Sequence, residues 1–563
     1  MSRRRAHANG SLVVETRPDD GVLNGTGVLL LPPMGYEDTS SYRPLRTLAG
    51  RLADAGFVVW RIDWPGLGDA SGEAWDPDLV PRCQQLVQHC LASLREAGCT
   101  RLAVLGVRAG GLFALNALQQ TTFDDLLLWG TPASGKRLLR EERAFHQLAA
   151  KAFANPPSDV DTRLPDGSVE AGGFVYSPQT AADLASLQLG PVPDGHLGRA
   201  LLIPRDGTAV PRKLKAALGT VPIEEAEGHG LTDLLEDPYK AGLSASTTAT
   251  LIGWLQRPLQ ADTRAATVRR LPSSTTLQLA GDIEEEVWTA AGGAGELVGI
   301  VCRPHKCKNS AWTVFFNAGG VRRSGPNRLW TQAARALARQ GRPSLRLDVR
   351  DVGDSDGVEH PHTNLEAMYA EESVRDAVAA YDAVLQMGAS TVDVVGLCSG
   401  AFLGMNVAAR RPVRRAVLFN GLAFVWDDDA RASGFTAHIR GSLLDRRRWK
   451  RLLTGRIDAR ALLRAVLSKG RIRAGDAVDR LRGRPPQSAV ARLISAVMAS
   501  GAQLQLVSSA GDPSIAYLDR QLGEGPRPPL HILTGVDHTI RPVWSHGSVL
   551  ELIVGPPLPP ESP

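Results

Sequence analysis

A cysteine occupies the position best suited to covalent chemistry in this chain. The segment GLCSG, residues 396–400, follows the apolar run VDVV and precedes AFLGMNVAAR, a helix-like stretch. A G-x-S-x-G segment between a strand and a helix is a nucleophile elbow, and its glycines allow the sharp turn. The first turn of the helix would favour a thiolate at Cys398. We therefore predict Cys398 as a nucleophile; the alternative is a buried cysteine in a tight turn.

A base and an acid are available downstream, each after a late apolar run. Asp512 follows LQLVSSAG, and His538 follows HILTGVD. In nucleophilic catalysis a histidine takes the proton of the nucleophile, and a carboxylate orients the imidazole. We predict a triad of Cys398, His538 and Asp512, with Asp354 and Asp537 as rival acids. Alternatively, Asp512 only forms a turn and His538 is only solvated.

An oxyanion formed during acyl transfer requires two converging N–H donors. One donor is normally the residue after the nucleophile, which is Ser399 here. The second normally comes from a loop after an early strand, and we predict Gly319, in Asn317-Ala-Gly-Gly320. These glycines could instead serve a tight turn.

The elements that must position these residues occur twice, about half a chain apart. Short apolar runs alternate with helix-like stretches, which predicts an α/β protein whose two halves each contain a mostly parallel, doubly wound sheet. The second half has WTVFFNAGG, PSLRLDVRDVGDSDG and VDVVGLCSG, and the first half has the matching GVLLLPPMG, VVWRIDWPGLGDASG and LAVLGVRAGG. We predict domains at 1–260 and 273–554, a helical cap at about 427–503 and a disordered Pro-rich tail at 555–563.

The first half retains the elbow glycines in GVRAG but has Arg108 at the nucleophile position. Arginine cannot attack an acyl group, so we predict that this half is not catalytic. Asp206 and His229 still occupy the acid and base positions. Two interpretations of Arg108 remain open: it binds an anionic ligand, or it pairs internally with Asp206 and supports the fold.

The predicted cap concentrates positive charge. Residues 430–484 contain 16 Lys and Arg against four Asp and Glu, while the whole chain carries only +5. The segment is either a solvated helical face or a docking surface for an anionic partner, such as an acidic carrier protein, coenzyme A or an acidic saccharide. The small overall charge argues against a nucleic-acid partner.

Several other classes of protein and site are disfavoured. No apolar run is long enough to span a membrane, and the basic start lacks a signal core, so we expect a cytoplasmic protein without stable membrane insertion. Six scattered cysteines fit a reducing compartment. Cys302, His305 and Cys307 lack a second ligand pair, and there is no phosphate-binding loop, so we expect neither a metal nor a cofactor.

The motifs resemble the α/β-hydrolase superfamily over nearly all of both halves, in tandem. More narrowly, GVRAGG is similar to the GLR elbow, and GLCSG to the GLC elbow, of the paired hydrolases of bacterial exosortase systems. The resemblance implies a fusion of the two types and a setting in bacterial exopolysaccharide or secondary-metabolite biosynthesis. Dienelactone hydrolases are similar in using Cys, Asp and His on this fold.

The sequence as a whole favours a cysteine-dependent acyl hydrolase or acyltransferase acting on an acyl or thioester substrate, which could be linked to coenzyme A or a carrier protein. The competing hypothesis is a non-catalytic binding or scaffold protein in which both halves are degenerate. No pattern in the chain indicates its oligomeric state.

Overall fold

The computed structural model describes most of the chain, apart from several segments. The described residues are 2–19, 23–150, 156–158, 160, 162–187, 189–257, 267–271, 274–306, 310–357, 365–426, 488–523 and 527–555. Most of the predicted cap (427–487), with its basic stretch, lies outside this part of the chain. Nearly all of the predicted tail (556–563) also lies outside it.

The first half forms an eight-stranded sheet in the order β1-β2-β4-β3-β5-β6-β9-β10. β1 and β2 are antiparallel to their neighbours, and the remaining strands are parallel. A separate hairpin consists of β7 and β8. The strands are β1 Ser2–Ala8, β2 Ser11–Arg17, β3 Thr26–Leu31, β4 Val58–Ile62, β5 Arg101–Val107, β6 Phe123–Trp129, β7 Val169–Ala171, β8 Phe174–Tyr176, β9 Leu197–Ile203 and β10 Ile223–Glu225.

The second half forms a nine-stranded sheet in the order β11-β12-β13-β15-β14-β16-β17-β18-β19. The strands from β15 to β19 are parallel, and the three at the other edge are antiparallel. The strands are β11 Thr276–Leu279, β12 Ile283–Gly292, β13 Gly295–Pro304, β14 Ala311–Phe315, β15 Ser344–Asp348, β16 Thr391–Leu397, β17 Arg415–Phe419, β18 Gln503–Ser509 and β19 Leu530–Leu533.

Helices cover both faces of each sheet. The central strands are continuous apolar runs that are buried on both sides, as strands between two helical layers must be. The helices of the first half are α1 Gly35–Asp54, α2 Leu79–Glu96, α3 Ala109–Ala117, α4 Gly135–Ala150, α5 Pro178–Ser186, α6 Arg212–Leu218, α7 Leu231–Leu234 and α8 Ala245–Gln256. Those of the second half are α9 Leu329–Arg339, α10 Leu365–Met368, α11 Glu371–Gln386, α12 Ser399–Ala408, α13 Ala489–Ala499, α14 Pro513–Leu522 and α15 His546–Val554.

The two sheets repeat one topology. The order β2-β4-β3-β5-β6-β9-β10 matches β13-β15-β14-β16-β17-β18-β19 strand for strand, with β2 and β13 antiparallel to the rest. In both halves the helix after the fourth strand of this order, α3 or α12, follows directly from the strand end. The predicted fold class, two tandem α/β-hydrolase sheets, is confirmed.

Buried ion pairs join the two halves reciprocally. Arg61 in β4 contacts Asp354 at 2.7 Å, and Arg346 in β15 contacts Asp69 at 2.8 Å. Arg61 and Arg346 hold equivalent positions, two residues before the strand-end aspartates Asp63 and Asp348. All four paired side chains are buried. The contact therefore has the same chemistry in both directions.

Arg323 lies at the centre of this contact. Its guanidinium is 2.8 Å from Asp69, 2.5 Å from Asp348 and 3.1 Å from Asp354. Burial alone would raise the pKa of Asp354, but Arg61 and Arg323 hold it well below its usual range. The halves thus share one charged core.

None of the helices in the described residues combines the length and the apolar character needed to cross a membrane.

Candidate active site

The predicted elbow forms at the junction of β16 and α12. Cys398 adopts φ 58° and ψ −114°, a conformation that costs a non-glycine residue about 1–3 kcal/mol. A Cβ on Gly396 would lie 2.1 Å from the carbonyl oxygen of Gly400, and one on Gly400 would lie 2.4 Å from that of Asn317. Only glycine fits at both places, so the G-x-C-x-G spacing fixes the path of the backbone.

The structure brings the three predicted triad residues together. Asp512 follows β18 and His538 follows β19, at the carboxyl edge of the sheet where β16 also ends. His538 Nδ1 lies 2.7 Å from Asp512 Oδ2, and His538 and Cys398 shift each other's pKa through their charges. Asp512 is held in place because its Oδ1 accepts the N–H of Ser514 at 2.9 Å, which caps α14.

The electrostatics of the triad favour an ion pair. Burial alone would raise the pKa of Cys398, but the His538 charge and its hydrogen bond outweigh burial and lower it. Burial alone would lower the pKa of His538, but the Cys398 charge and the Asp512 hydrogen bond raise it to about 10. Both shifts favour a thiolate beside an imidazolium, the reactive state of a cysteine nucleophile.

The rival acids are engaged elsewhere. Asp354 lies in the contact between the halves, where it binds Arg61 and Arg323. Asp537 accepts hydrogen bonds from Thr539 Oγ1 at 2.9 Å and from Arg541 Nε at 2.8 Å. Only Asp512 among the three carboxylates is hydrogen-bonded to the His538 imidazole in the described part of the chain.

The N–H groups of the two predicted oxyanion donors have different surroundings. The backbone N–H of Ser399 adjoins Cys398 and contributes to lowering the pKa of its thiol. The Gly319 N–H donates to Oγ of Ser399 at 2.9 Å. The backbone of Ser399 therefore acts on the nucleophile, and its side chain accepts a hydrogen bond from the loop after β14. In this structure the Gly319 N–H is therefore already hydrogen-bonded to the Ser399 hydroxyl. The sequence pattern does not predict this bond.

Tyr369, which the sequence analysis missed, contacts the nucleophile. Its hydroxyl lies 3.6 Å from Cys398 Sγ, and its ring stacks on Trp426 with centroids 4.3 Å apart. Burial raises the pKa of Tyr369 well above its usual range, so the hydroxyl keeps its proton and can donate to a thiolate. Tyr369 lies just before α11, in no recognisable motif, and only the folded chain brings it to Cys398.

A second missed residue, Asn420, supports the histidine loop. It follows β17 in a left-handed conformation, and its Nδ2 donates to the carbonyl oxygen of His538 at 2.8 Å. Its Oδ1 accepts the N–H of Ser509 at 2.7 Å. Asn420 thus ties the loop of His538 to the end of β18, the strand that precedes Asp512.

The elbow of the first half has the same backbone conformation, but the side chain at its turn is held in ion pairs. Arg108 has φ 53° and ψ −117°, nearly the same as Cys398. Its guanidinium contacts Glu37 at 2.9 Å and Glu141 at 2.7 Å. The pairing predicted between Arg108 and Asp206 is wrong, because carboxylates from α1 and α4 reach the guanidinium instead.

The other two residues of the degenerate site do not form a relay. Asp206 accepts the backbone N–H groups of Leu231 and Thr232, at 3.0 and 2.9 Å, and so holds the start of α7. His229 is exposed, and its Nδ1 lies 3.0 Å from Oγ of Ser244. The carboxylate and imidazole are therefore used separately.

A cavity lies beside the elbow of the second half. Its volume is about 730 Å³, and Tyr369, Phe402, Phe424 and Trp426 form an aromatic wall, with Arg492 also lining it. Tyr369 belongs both to this wall and to the surroundings of Cys398, so the cavity adjoins the nucleophile.

The region predicted not to bind metal contains a buried thiol. Cys302 lies in β13 with its side chain fully buried, and Cys307 lies outside the described residues. Within the described part of the chain, no three His, Cys, Asp or Glu side chains come together as a metal site.

Comparison with solved structures finds proteins that are similar to about half of this chain. An α-β serine hydrolase homologue from Coxiella burnetii is 13% identical and covers 48% of this chain and 95% of its own, with a TM-score of 0.30. A dienelactone hydrolase from Anabaena variabilis is 16% identical and covers 48% and 96%, with a TM-score of 0.31. A thioesterase domain from a curacin biosynthetic pathway is 14% identical and covers 48% and 99%, with a TM-score of 0.29. Neither family models nor curated protein sequences give a match.

Proposed function

We propose that this chain is an acyl hydrolase or acyltransferase that forms an acyl thioester on Cys398. In this proposal residues 273–554 are the catalytic domain and residues 1–260 are a non-catalytic one. The observation that carries it is the series Asp512, His538, Cys398, in which His538 is hydrogen-bonded to Asp512 and its charge favours the Cys398 thiolate. A structural cysteine requires no imidazole braced by a carboxylate.

In the first step the Cys398 thiolate attacks the carbonyl carbon of an acyl donor. The C–S bond forms, the carbonyl electron pair moves to oxygen, and the Ser399 N–H lies on the side of the nucleophile to meet that charge. When the intermediate collapses, the leaving thiolate or alkoxide takes the proton of the His538 imidazolium. Asp512 keeps the imidazole oriented throughout.

In the second step an acceptor releases the acyl group. Water, an amine or an alcohol gives its proton to neutral His538 and attacks the thioester, and the Cys398 thiolate leaves. Water makes the chain a thioesterase or esterase, whereas an amine or alcohol makes it an acyltransferase. The aromatic cavity beside Tyr369 would receive the acyl group. A coenzyme A or carrier-protein donor, and a setting in exopolysaccharide or secondary-metabolite biosynthesis, remain predictions.

The test is to incubate the protein with short and long acyl thioesters and activated esters and to measure intact mass. We expect an adduct of one acyl group that Cys398→Ala abolishes and hydroxylamine removes. Cys99→Ala is the matched control: Cys99 is a buried thiol whose pKa burial raises to about 11, and the adduct should persist.

Absence of an adduct on the wild-type protein with every donor would instead favour the scaffold hypothesis. Labelling that survives Cys398→Ala would place the chemistry at another residue. With a competent donor, free acid as product identifies a hydrolase, and acylated amine or alcohol identifies a transferase.

A further inference from the structure

The non-catalytic half contains a cavity of its own, with a volume of about 310 Å³. It lies at the carboxyl ends of β6 and β9, the edge of an α/β sheet where ligands commonly bind. Arg108 lies at its base, so the cavity occupies the place above the elbow that a substrate takes in a catalytic domain.

Three arginines share one carboxylate at this cavity. Glu141 contacts Arg108 at 2.7 Å, Arg137 at 2.6 Å and Arg205 at 3.0 Å. Glu37 pairs with Arg108 and does not line the cavity. Three positive charges therefore face two negative ones, which leaves one positive charge at the cavity. Burial and the Glu37 charge raise the pKa of neighbouring Glu142 to about 8, so at neutral pH this carboxyl is mostly uncharged and does not cancel it.

The unbalanced charge is at the mouth of the cavity. Arg108 is buried, whereas the side chains of Arg137 and Arg205 are about half exposed. Each of these two half-exposed guanidiniums contacts Glu141 through one nitrogen, and a guanidinium has several N–H donors that can bind a further carboxylate.

The rest of the cavity is mostly apolar. The side chains of Leu128, Ile203, Val210 and Leu214 line it, and they come from β6, β9, α6 and the segment between β9 and α6. Such a surface makes no favourable contact with an inorganic anion, but it can bury an aliphatic chain away from water.

We propose that the first half binds a monocarboxylate with an aliphatic chain, its carboxylate between Arg137 and Arg205 and its chain among the apolar side chains. One negative charge on the ligand matches the one unbalanced positive charge. Because Arg108 closes the elbow beneath, the site binds without catalysing. This inference does not depend on the function proposed for Cys398.

The test is calorimetric titration of the full-length protein with octanoate, 1-octanol and acetate. We expect saturable octanoate binding that weakens at least about tenfold in Arg137→Gln/Arg205→Gln, the loss of charge-assisted hydrogen bonds. Ala209→Trp, at an exposed position of the cavity lining, should block octanoate as well. Arg257→Gln is the matched control, because Arg257 is equally exposed and pairs with Glu224 away from the cavity.

The alternatives have distinct outcomes. Equal binding of octanol would show an apolar cavity without carboxylate recognition and overturn the proposal. Octanoate binding unchanged in the double variant would place the ligand elsewhere, for example at the catalytic half, and overturn it too. No saturable binding would do the same.

Discussion

At the scale of single residues, the reactivity of Cys398 depends on groups that act on one sulfur from different sides. The His538 imidazolium supplies charge, the Ser399 N–H and the Tyr369 hydroxyl supply hydrogen bonds, and burial opposes all three. Because the lowered pKa of Cys398 is the net result, removing one favourable group should shift the balance toward burial.

The pH dependence of alkylation tests the ion pair. A lowered pKa means that the thiolate persists below the pH at which ordinary cysteines protonate, so iodoacetamide should alkylate Cys398 at pH 7 faster than it alkylates an ordinary cysteine. In His538→Gln the opposing charge is gone and burial raises the pKa of Cys398. We expect the rate at pH 7 to fall at least about tenfold and to recover as pH rises. A pH-independent difference would contradict the ion pair.

Acyl transfer should have both an acid and an alkaline limit. Below the lowered pKa of Cys398 the thiolate is protonated, and above about pH 10 His538 loses the proton that the leaving group needs. Turnover of an acyl thioester should therefore fall on both sides, whereas alkylation should fall only on the acid side. An alkaline limit near pH 7 would contradict the raised pKa of His538.

Tyr369→Phe should raise the pKa of Cys398 without affecting the fold, because the ring keeps its stacking on Trp426 and loses only the hydroxyl. A hydrogen bond to a charged sulfur at 3.6 Å is weak, so we expect alkylation at pH 7 to slow by about two- to tenfold. Tyr381→Phe, whose hydroxyl bonds to Pro412, is the control. An unshifted pH profile in Tyr369→Phe would remove Tyr369 from the site.

The three triad residues could be predicted from the sequence because each follows an apolar strand and they occur in the order nucleophile, acid, base along the chain. The sequence could not reveal Tyr369 or Asn420, which reach the site from ordinary loop positions through tertiary packing. It also misplaced the partner of Arg108, since which carboxylate meets a guanidinium depends on the orientation of α1 and α4 and not on order along the chain.

At the scale of elements, both halves keep the strand-turn-helix unit, although only the second half has a residue at the turn that can act as a nucleophile. β5 and α3 keep the strained elbow around Arg108 although no nucleophile requires it. The strain persists because Gly106 and Gly110 pack as closely as their counterparts: a Cβ on Gly110 would lie 2.2 Å from the carbonyl oxygen of Leu31. The repeated apolar pattern predicts this unit, but not whether the loops beyond it form a relay.

Arg108→Ser should place a hydroxyl at the nucleophile position of the first half without creating esterase activity. His229 bonds to Ser244, and Asp206 is occupied by backbone N–H groups, so the new serine would lack an activated base. The substitution also leaves Glu37 and Glu141 without their buried partner, and we expect the melting temperature to fall. Hydrolysis of p-nitrophenyl acetate in a Cys398→Ala background measures the first effect. Activity above that background would show that the relay can reassemble.

At the scale of the whole molecule, the first half packs directly against the half that contains the predicted triad. A Cβ on Gly320, next to the predicted oxyanion donor, would lie 2.8 Å from the carbonyl oxygen of Pro238 in the first half. Glu170, in the β7 strand of the first-half hairpin, accepts the N–H of Val543 beyond the loop of His538. We therefore expect the two halves to unfold as one unit.

Asp69→Asn should destabilise the entire chain. It removes one of the carboxylates that neutralise Arg323 and Arg346 in a buried contact, which lowers the free energy of unfolding by roughly 3–5 kcal/mol. Asp382→Asn breaks a partly exposed pair with Arg411 and should cost less than about 1 kcal/mol. Urea unfolding, followed by labelling of Cys83 in one half and Cys302 in the other, measures both. Separate midpoints for the two thiols would contradict a shared core.

The reciprocal pairs Arg61–Asp354 and Arg346–Asp69 have the form of an isologous interface, in which two copies of one subunit meet about a twofold axis. Here a single polypeptide supplies both sides, so the surface is already satisfied within the chain and cannot recruit another molecule. The fused pair keeps the mutual support of a dimer at a fixed stoichiometry of one thiol site to one carboxylate-binding cavity. Dilution, which separates ordinary dimers, leaves that ratio and that support unchanged.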